Sequence, residues 1–206
     1  MKWLLAVGAG LVLLAIIAVL GETDTNPTAQ VNSASVKADA PAKERASPKW
    51  HVTKDSDPIT GKTSAYALSP RFKPVRKMEF PYGDTQMTIG FGCDSGSEWG
   101  YLTFTNTPNL VNDETKDGYS LSSSRVRWDD VSNRIELRQR WGDDALHFVN
   151  AASVIGQVMR NNTMLVELDW YGSGQVYFEA ALAGSTAAIS QARTICRPHI
   201  RRNQAR

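Results

Sequence analysis

Arginine side chains occur at alternating positions in two neighbouring segments of the chain, and Glu136 takes one of those positions in the second segment. The first segment contains Arg125 and Arg127, and the second contains Arg134, Arg138 and Arg140. Because side chains alternate between the two faces of a strand, each set shares one face if these segments are strands. A guanidinium offers a planar fork of N–H donors that suits carboxylate and phosphate groups. The spacing therefore predicts an anion- or partner-binding face if the chain turns between the segments. The alternative is a solvated face that is neutralised by acids from elsewhere.

Other residues that could do chemistry lack the spacing that catalysis or metal binding needs. The three histidines share no metal-ligand spacing. Two Asp-Asp pairs, at 129–130 and 143–144, could hold calcium, but both fall at expected turns, where aspartate hydrogen-bonds nearby backbone. Residues 93–97 match the Gly-Asp-Ser-Gly of serine proteases only in part. We therefore expect no catalytic residue, no metal and no cofactor.

The central stretch from Met87 to Phe104 shows how the strands that carry these residues are organised. Apolar residues alternate with other residues on both sides of a short glycine- and serine-rich turn. Alternation with a period of two predicts two strands, each with one buried face. Four glycines in this stretch leave room for another backbone or for a bend: Gly90, Gly92, Gly96 and Gly100.

Helical spacing occurs only in the C-terminal half of the chain. Apolar residues fall on one face of a predicted helix over 151–160. A last helix is predicted over 187–195, with Ser185 or Thr186 as its N-terminal cap. Many short strands without βαβ alternation favour an α+β fold, mostly antiparallel β in a sandwich-like sheet, with these two short helices.

The N-terminus has the pattern of an export signal. Lys2 is followed by an unbroken apolar run over residues 3–20. Such a run is either a secretory signal peptide or a membrane anchor, and the sequence leaves cleavage and retention of residues 1–21 open. Both alternatives place the rest of the chain outside the cytoplasm, because the positive charge stays inside.

Composition divides the rest of the chain into three parts. Residues 22–47 are rich in Thr, Asn, Ala, Ser, Lys and Pro and lack aromatic residues, which predicts a disordered linker. Residues 48–197 hold the strand and helix patterns and are predicted to form a single β-rich extracytoplasmic domain. Residues 198–206 form a basic tail.

Export changes how the two cysteines are interpreted. Cys93 and Cys196 are the only cysteines of the chain, and a lone pair in an oxidising compartment predicts one disulfide. The bond would close a loop of roughly 100 residues, for which the chain-entropy model gives about 4–5 kcal/mol. The alternative is a pair of buried free thiols.

The order of these features resembles that of a known family. After the leader, the matching positions are Trp50, Asp57-Pro58, Cys93, Arg125–Trp128, Phe178, Leu182, Gly184 and Cys196. The order resembles the VasI/TagO family of periplasmic proteins associated with bacterial type VI secretion, over residues 50–196. The resemblance implies a non-enzymatic envelope accessory domain, and it supplies no catalytic residue.

Together these patterns favour an exported, non-enzymatic accessory or binding domain of the bacterial cell envelope, and the resemblance implies an association with type VI secretion. The expected partner is an envelope protein or an anionic envelope component. A net charge of +2 does not indicate nucleic acid as a partner. The membrane is expected to be contacted only through the N-terminal segment, if it is uncleaved. The alternatives are a periplasmic inhibitor or an immunity or phage-exclusion protein, and a small hydrolase whose site is not visible in the sequence.

Overall fold

The computed structural model describes residues 49–111 and 114–197. These residues belong to one compact unit. The predicted leader, the linker and the basic tail lie outside the described residues, so those three assignments stay predictions.

Ten strands and two helices follow one another along the described ranges. Their bounds are β1 (His51–Ser56), β2 (Thr63–Leu68), β3 (Met87–Cys93), β4 (Glu98–Phe104), β5 (Glu114–Lys116), β6 (Tyr119–Trp128), β7 (Val131–Arg140), β8 (Ala145–Phe148), α1 (Ala151–Arg160), β9 (Thr163–Trp170), β10 (Gly174–Ala181) and α2 (Ser185–Cys196). The predicted α+β class, mostly antiparallel with two helices late in the chain, is confirmed.

All ten strands belong to one antiparallel sheet. Its order is β1-β2-β3-β4-β8-β7-β6-β9-β10, and β5 pairs with β6 outside this path. Hairpins β1–β2, β3–β4, β6–β7 and β9–β10 pair neighbours in the sequence, whereas β4–β8 and β6–β9 join distant segments. Because α1 lies between β8 and β9, the chain leaves the sheet once and returns beside β6.

The sheet curls so that strands far apart in its order face each other across the core. The ring of Phe104 on β4 lies 5.4 Å from that of Trp170 on β9 and 5.6 Å from that of Phe178 on β10. The chain between β2 and β3 spans the gap, because Phe72 bridges to β3 and Pro74 bridges to β10. The inner face is therefore enclosed, which agrees with the predicted sandwich-like sheet.

Each helix turns its apolar side toward the inner face of the sheet. Helix α1 contacts β4 and β8, and α2 contacts β1, β2 and β3. The side chain of Asn150 caps α1 by accepting a hydrogen bond from the backbone N–H of Ser153. Within residues 49–111 and 114–197, no helix is long and apolar enough to cross a membrane.

The predicted cap of the last helix is wrong. The residue before α2 is Gly184, with a φ of 92°, and no side chain caps the helix. The hydroxyl of Ser185 instead donates to the Val158 carbonyl at 2.8 Å, and that of Thr186 donates to the Met159 carbonyl at 2.6 Å. Both hydroxyls therefore join α2 to α1 rather than capping α2.

The C-terminal end of α2 is held against β3 and β4. A disulfide joins Cys93 to Cys196, with Cα atoms 6.0 Å apart. One turn earlier, Arg193 donates to both carboxylate oxygens of Glu98, at 2.8 and 2.7 Å, and its guanidinium lies 5.5 Å from the centre of the Phe91 ring. A covalent bond and an ion pair thus fix this helix to the central hairpin.

Candidate functional site

The β6–β7 hairpin brings the five predicted arginines onto one face of the sheet. Trp128 pairs with Val131, so the turn contains only Asp129 and Asp130. The side chains that alternate with the arginines are buried, namely Val126, Trp128, Ile135 and Leu137, and all five arginines are exposed. The hairpin arginines are Arg125, Arg127, Arg134, Arg138 and Arg140. They share the outer face, opposite the helices, as the alternation predicts.

The turn of this hairpin is locked by a carboxylate. Asp129 accepts hydrogen bonds from the backbone N–H groups of Asn162 and Thr163, at 3.0 and 2.8 Å, and from the Thr163 hydroxyl at 3.0 Å. These bonds favour the ionised form and hold the pKa of Asp129 below its usual value, with the Asn162 backbone as the largest cause. Asp129 of the first Asp-Asp pair therefore joins the turn of the hairpin to the turn that precedes β9.

The arginines nearest this turn form a cluster that we call the arginine trio: Arg125, Arg127 and Arg134. Arg125 lies directly opposite Arg134 across the hairpin. On its other side, Arg125 Nε donates to Glu167 on β9 at 2.9 Å, and its Nη2 donates to the second carboxylate oxygen. This bidentate pair lowers the pKa of Glu167 and raises that of Arg125. One arginine of the trio is thus already paired.

The other two members of the trio keep their guanidinium groups available. Arg127 and Arg134 have no ion pair among the residues that the structure describes. Arg134 makes a long hydrogen bond, 3.4 Å, to the hydroxyl of Ser123, and its charge adds to the effect of Arg125 in lowering the pKa of Glu167. An open cleft of about 570 Å³ runs between the trio, Glu167 and Tyr177. The cleft offers two free cationic forks beside one occupied one.

The remaining two hairpin arginines lie at the opposite end of β7. The Arg138 guanidinium lies 5.4 Å from the centre of the Tyr119 ring, within the range of a cation–π contact. A hydrogen bond to Tyr119 and the charge of Asp143 raise the pKa of Arg140. Arg138 also pairs in register with His147 on β8. The structure therefore divides the predicted face into two separate groups.

A second feature of the outer face lies on β2, β3, β4 and β8, and the sequence interpretation missed it. Trp99 and Tyr101 on β4 point outward, while Leu102 and Phe104 point into the core. A Cβ atom added to Gly92 would collide with the Trp99 indole, and one added to Gly90 would collide with the Tyr101 ring. The two rings therefore cover the two glycines, which were expected to admit another backbone.

Neighbouring rings extend this surface into what we call the aromatic strip: Tyr66, Trp99, Tyr101 and His147. The Tyr66 and Trp99 rings meet edge to face at 6.0 Å, and those of Tyr101 and His147 lie 5.6 Å apart. All four side chains are partly exposed. Burial, followed by the charge of Arg138, lowers the pKa of His147. The sequence does contain a signal for this surface. Glycines alternate with apolar residues in β3, and the Trp-x-Tyr pattern of β4 follows in the strand that pairs with it.

No metal-binding cluster accompanies these two surfaces in the described ranges. No group of three or more His, Cys, Asp and Glu side chains among residues 49–111 and 114–197 could hold a metal ion. The chain matches no protein-family model, no curated protein and no solved structure. Arguments about function therefore rest on the geometry of the chain itself.

Proposed function

We propose that the protein is an exported, non-catalytic binding domain of the bacterial cell envelope whose arginine trio binds an anionic group of its partner. The observation that carries the proposal is the pair of free guanidinium groups, Arg127 and Arg134, beside the Arg125–Glu167 ion pair. Two forks on one rigid hairpin can hold a carboxylate or phosphate through several charge-assisted hydrogen bonds.

Glu167 gives the cleft its selectivity in this proposal. Its side chain is only 14% exposed and accepts both hydrogen bonds from Arg125, whose side chain is 60% exposed. The bidentate contact occupies the Nε and Nη2 donors of Arg125, so this guanidinium offers fewer donors to an anion that arrives beside it. The carboxylate also repels anions that approach too close to β9. An incoming anion is therefore directed toward Arg127 and Arg134.

Two features support the envelope location in this proposal. The apolar run after Lys2 is an export pattern, and the disulfide of the structure is typical of an oxidising compartment. The resemblance to the VasI/TagO family favours an accessory role in type VI secretion. Secretion genes beside the coding gene would support that role, whereas toxin or prophage genes would indicate an inhibitor or immunity protein.

The direct test measures binding of small anions to the purified protein. Citrate and inorganic phosphate are titrated separately, and nuclear magnetic resonance spectra report the binding. The double variant Arg127→Gln/Arg134→Gln should lose most of the binding and most of its salt dependence. Glu167→Gln should bind more tightly than the wild type, because it frees Arg125 for the ligand. Each exposed substitution should change the free energy of unfolding by less than about 0.5–1 kcal/mol.

The matched control is Arg76→Gln/Arg160→Gln, which removes two exposed arginines outside the hairpin. It changes the net charge equally and should leave anion binding unchanged. Equal loss in both double variants would show that only net charge matters. Weaker binding by Glu167→Gln would show that the intact ion pair, rather than free arginines, supports the ligand. Either result contradicts the proposed cleft.

A further inference from the structure

We propose that the aromatic strip is a binding platform for a glycan strand that carries widely spaced carboxylates. The inference concerns a surface separate from the arginine trio. It follows from three features of the outer face: flat rings, a cationic side chain at one end and acidic side chains along one border. Its test uses residues outside the trio, so it can fail while the anion cleft stands, and the reverse also holds.

Two rings of the strip, those of Trp99 and Tyr101, cover the backbone of β3. A Cβ on Gly92 would meet the Cε2, Nε1 and Cζ2 atoms of Trp99, which lie in the middle of the indole. A Cβ on Gly90 would meet the Cζ, Cε1 and Cε2 atoms of Tyr101. Because a Cβ projects out of the pleat, a ring centred above it rests on the sheet with one face. The other face is free to accept a stacked ligand.

A pyranose ring has the shape and chemistry for this surface. Its axial C–H groups form an apolar face, and its hydroxyls at the edge both donate and accept hydrogen bonds. Tyr66 stands edge-on beside Trp99 and closes one side of the platform. Aromatic side chains contribute much area with few rotatable bonds, so their ordering costs little entropy. A sugar ring can therefore stack on Trp99 or Tyr101 without rearranging the sheet.

A cation lies at a defined distance from the rings. Tyr101 pairs with His147, and His147 pairs with Arg138, so the three side chains form one row across β4, β8 and β7. Two strand spacings separate the Tyr101 backbone from the Arg138 backbone, about 10 Å. Arg138 has no ion pair among the described residues. A ligand stacked on Tyr101 can thus place a carboxylate at Arg138.

The border of the strip argues against a densely charged polymer. Asp143 and Asp144 lie at this border, because the Asp144 carbonyl accepts from the Phe104 N–H and the Asp143 N–H donates to the Arg140 carbonyl, both at 3.0 Å. Burial raises the pKa of Tyr101, and the charge of Asp144 adds to that rise. A nucleic acid carries one phosphate per nucleotide, so stacking successive bases here would bring phosphates toward these carboxylates. A glycan with one carboxylate per disaccharide can place that carboxylate at Arg138, while its hydroxyls contact the acidic side chains of the border.

The test measures binding of three oligomers to the purified protein by isothermal titration calorimetry. The first is a hyaluronan hexasaccharide, with one carboxylate per disaccharide, the second is uncharged chitohexaose, and the third is single-stranded oligothymidylate. The hyaluronan fragment should bind most tightly. Trp99→Leu and Tyr101→Leu should each weaken it by about tenfold or more, the equivalent of about 1.4 kcal/mol. Arg138→Gln should weaken the binding of hyaluronan but leave the binding of chitohexaose unchanged.

The matched control is Trp141→Leu, because Trp141 is 93% exposed and lies outside the strip. It should bind like the wild type. Circular dichroism checks the fold, and if Trp99→Leu unfolds, Tyr101→Leu and Arg138→Gln decide the question. If oligothymidylate binds most tightly, the ligand of the strip is a nucleic acid and the glycan proposal is wrong. Absence of hyaluronan binding, or equal binding by the folded strip variants, would overturn the proposal.

Discussion

The hairpin arginines and the aromatic strip occupy the same face of one sheet, yet they are built differently. The arginines are exposed, and only Arg125 is fixed by a carboxylate on a neighbouring strand. The rings of the strip are partly buried against Gly90 and Gly92. Charge on a strand face needs only alternation, whereas a flat aromatic surface needs a specific partner in register. Substitutions should therefore affect mainly binding in the first region, and both stability and binding in the second.

The support behind the two regions also differs. Behind the strip, α2 packs on β2 and β3 and is bonded to β3 through Cys93. The turn of the hairpin is held instead by the hydrogen bonds that Asp129 accepts. A disulfide is unaffected by acid, whereas the hydrogen bonds to a carboxylate weaken when the carboxylate is protonated. The comparison predicts different responses to reduction, to added volume and to acid.

Removal of the disulfide should have the largest effect. The variant Cys93→Ser/Cys196→Ser opens a link between residues 103 apart in the sequence. The chain-entropy model assigns about 4–5 kcal/mol to such a link, so urea denaturation should show a loss approaching that value. Amide exchange should rise more in β2 and β3 than in β6 and β7. Equal acceleration in both regions would contradict the difference in support.

The same cysteines report on export. The protein is purified without a reductant, treated with an alkylating reagent and measured by intact mass. It should carry no label, and the same treatment after reduction should add two labels. Two labels without reduction would place the protein in a reducing compartment.

Added volume under the strip should have the next largest effect. In Gly92→Ala, the new Cβ would meet the Trp99 indole, and either the ring or the strand must move. Overpacking of this kind costs about 1–3 kcal/mol, measurable by urea denaturation. Gly96→Ala is the matched control, because its nearest neighbour would be an Asp94 oxygen at 3.9 Å. If both variants are as stable as the wild type, the ring does not rest on Gly92.

Acid should affect the hairpin, with the smallest change. The pKa of Asp129 is lowered in the folded state, so the unfolded chain binds its proton more readily. Its contribution to stability is therefore present above the unfolded pKa, near 3.8, and is lost as the pH falls through the folded pKa. Asp129→Asn should show a smaller difference in stability between pH 6 and pH 3 than the wild type. An unchanged difference would mean that Asp129 does not latch the turn.

Local sequence patterns predicted most of the elements correctly. Alternation identified both halves of the central hairpin, and helical spacing identified α1 and the body of α2. The outward position of the hairpin arginines also followed from alternation, because one strand and its turn decide it. The cap of α2 was missed because Ser185 and Thr186 find acceptors on α1, which is a tertiary contact.

The sequence by itself determined the class of the fold, the positions of the central hairpin and both helices, and the face on which five arginines lie. Tertiary structure alone decided that β9 stands beside β6, which gives Arg125 its partner Glu167, and that β8 stands between β4 and β7, which aligns Tyr101, His147 and Arg138. The physical reason is that alternation fixes which way a side chain points within its own strand. Pairing between strands distant in sequence depends instead on how the whole sheet encloses its core.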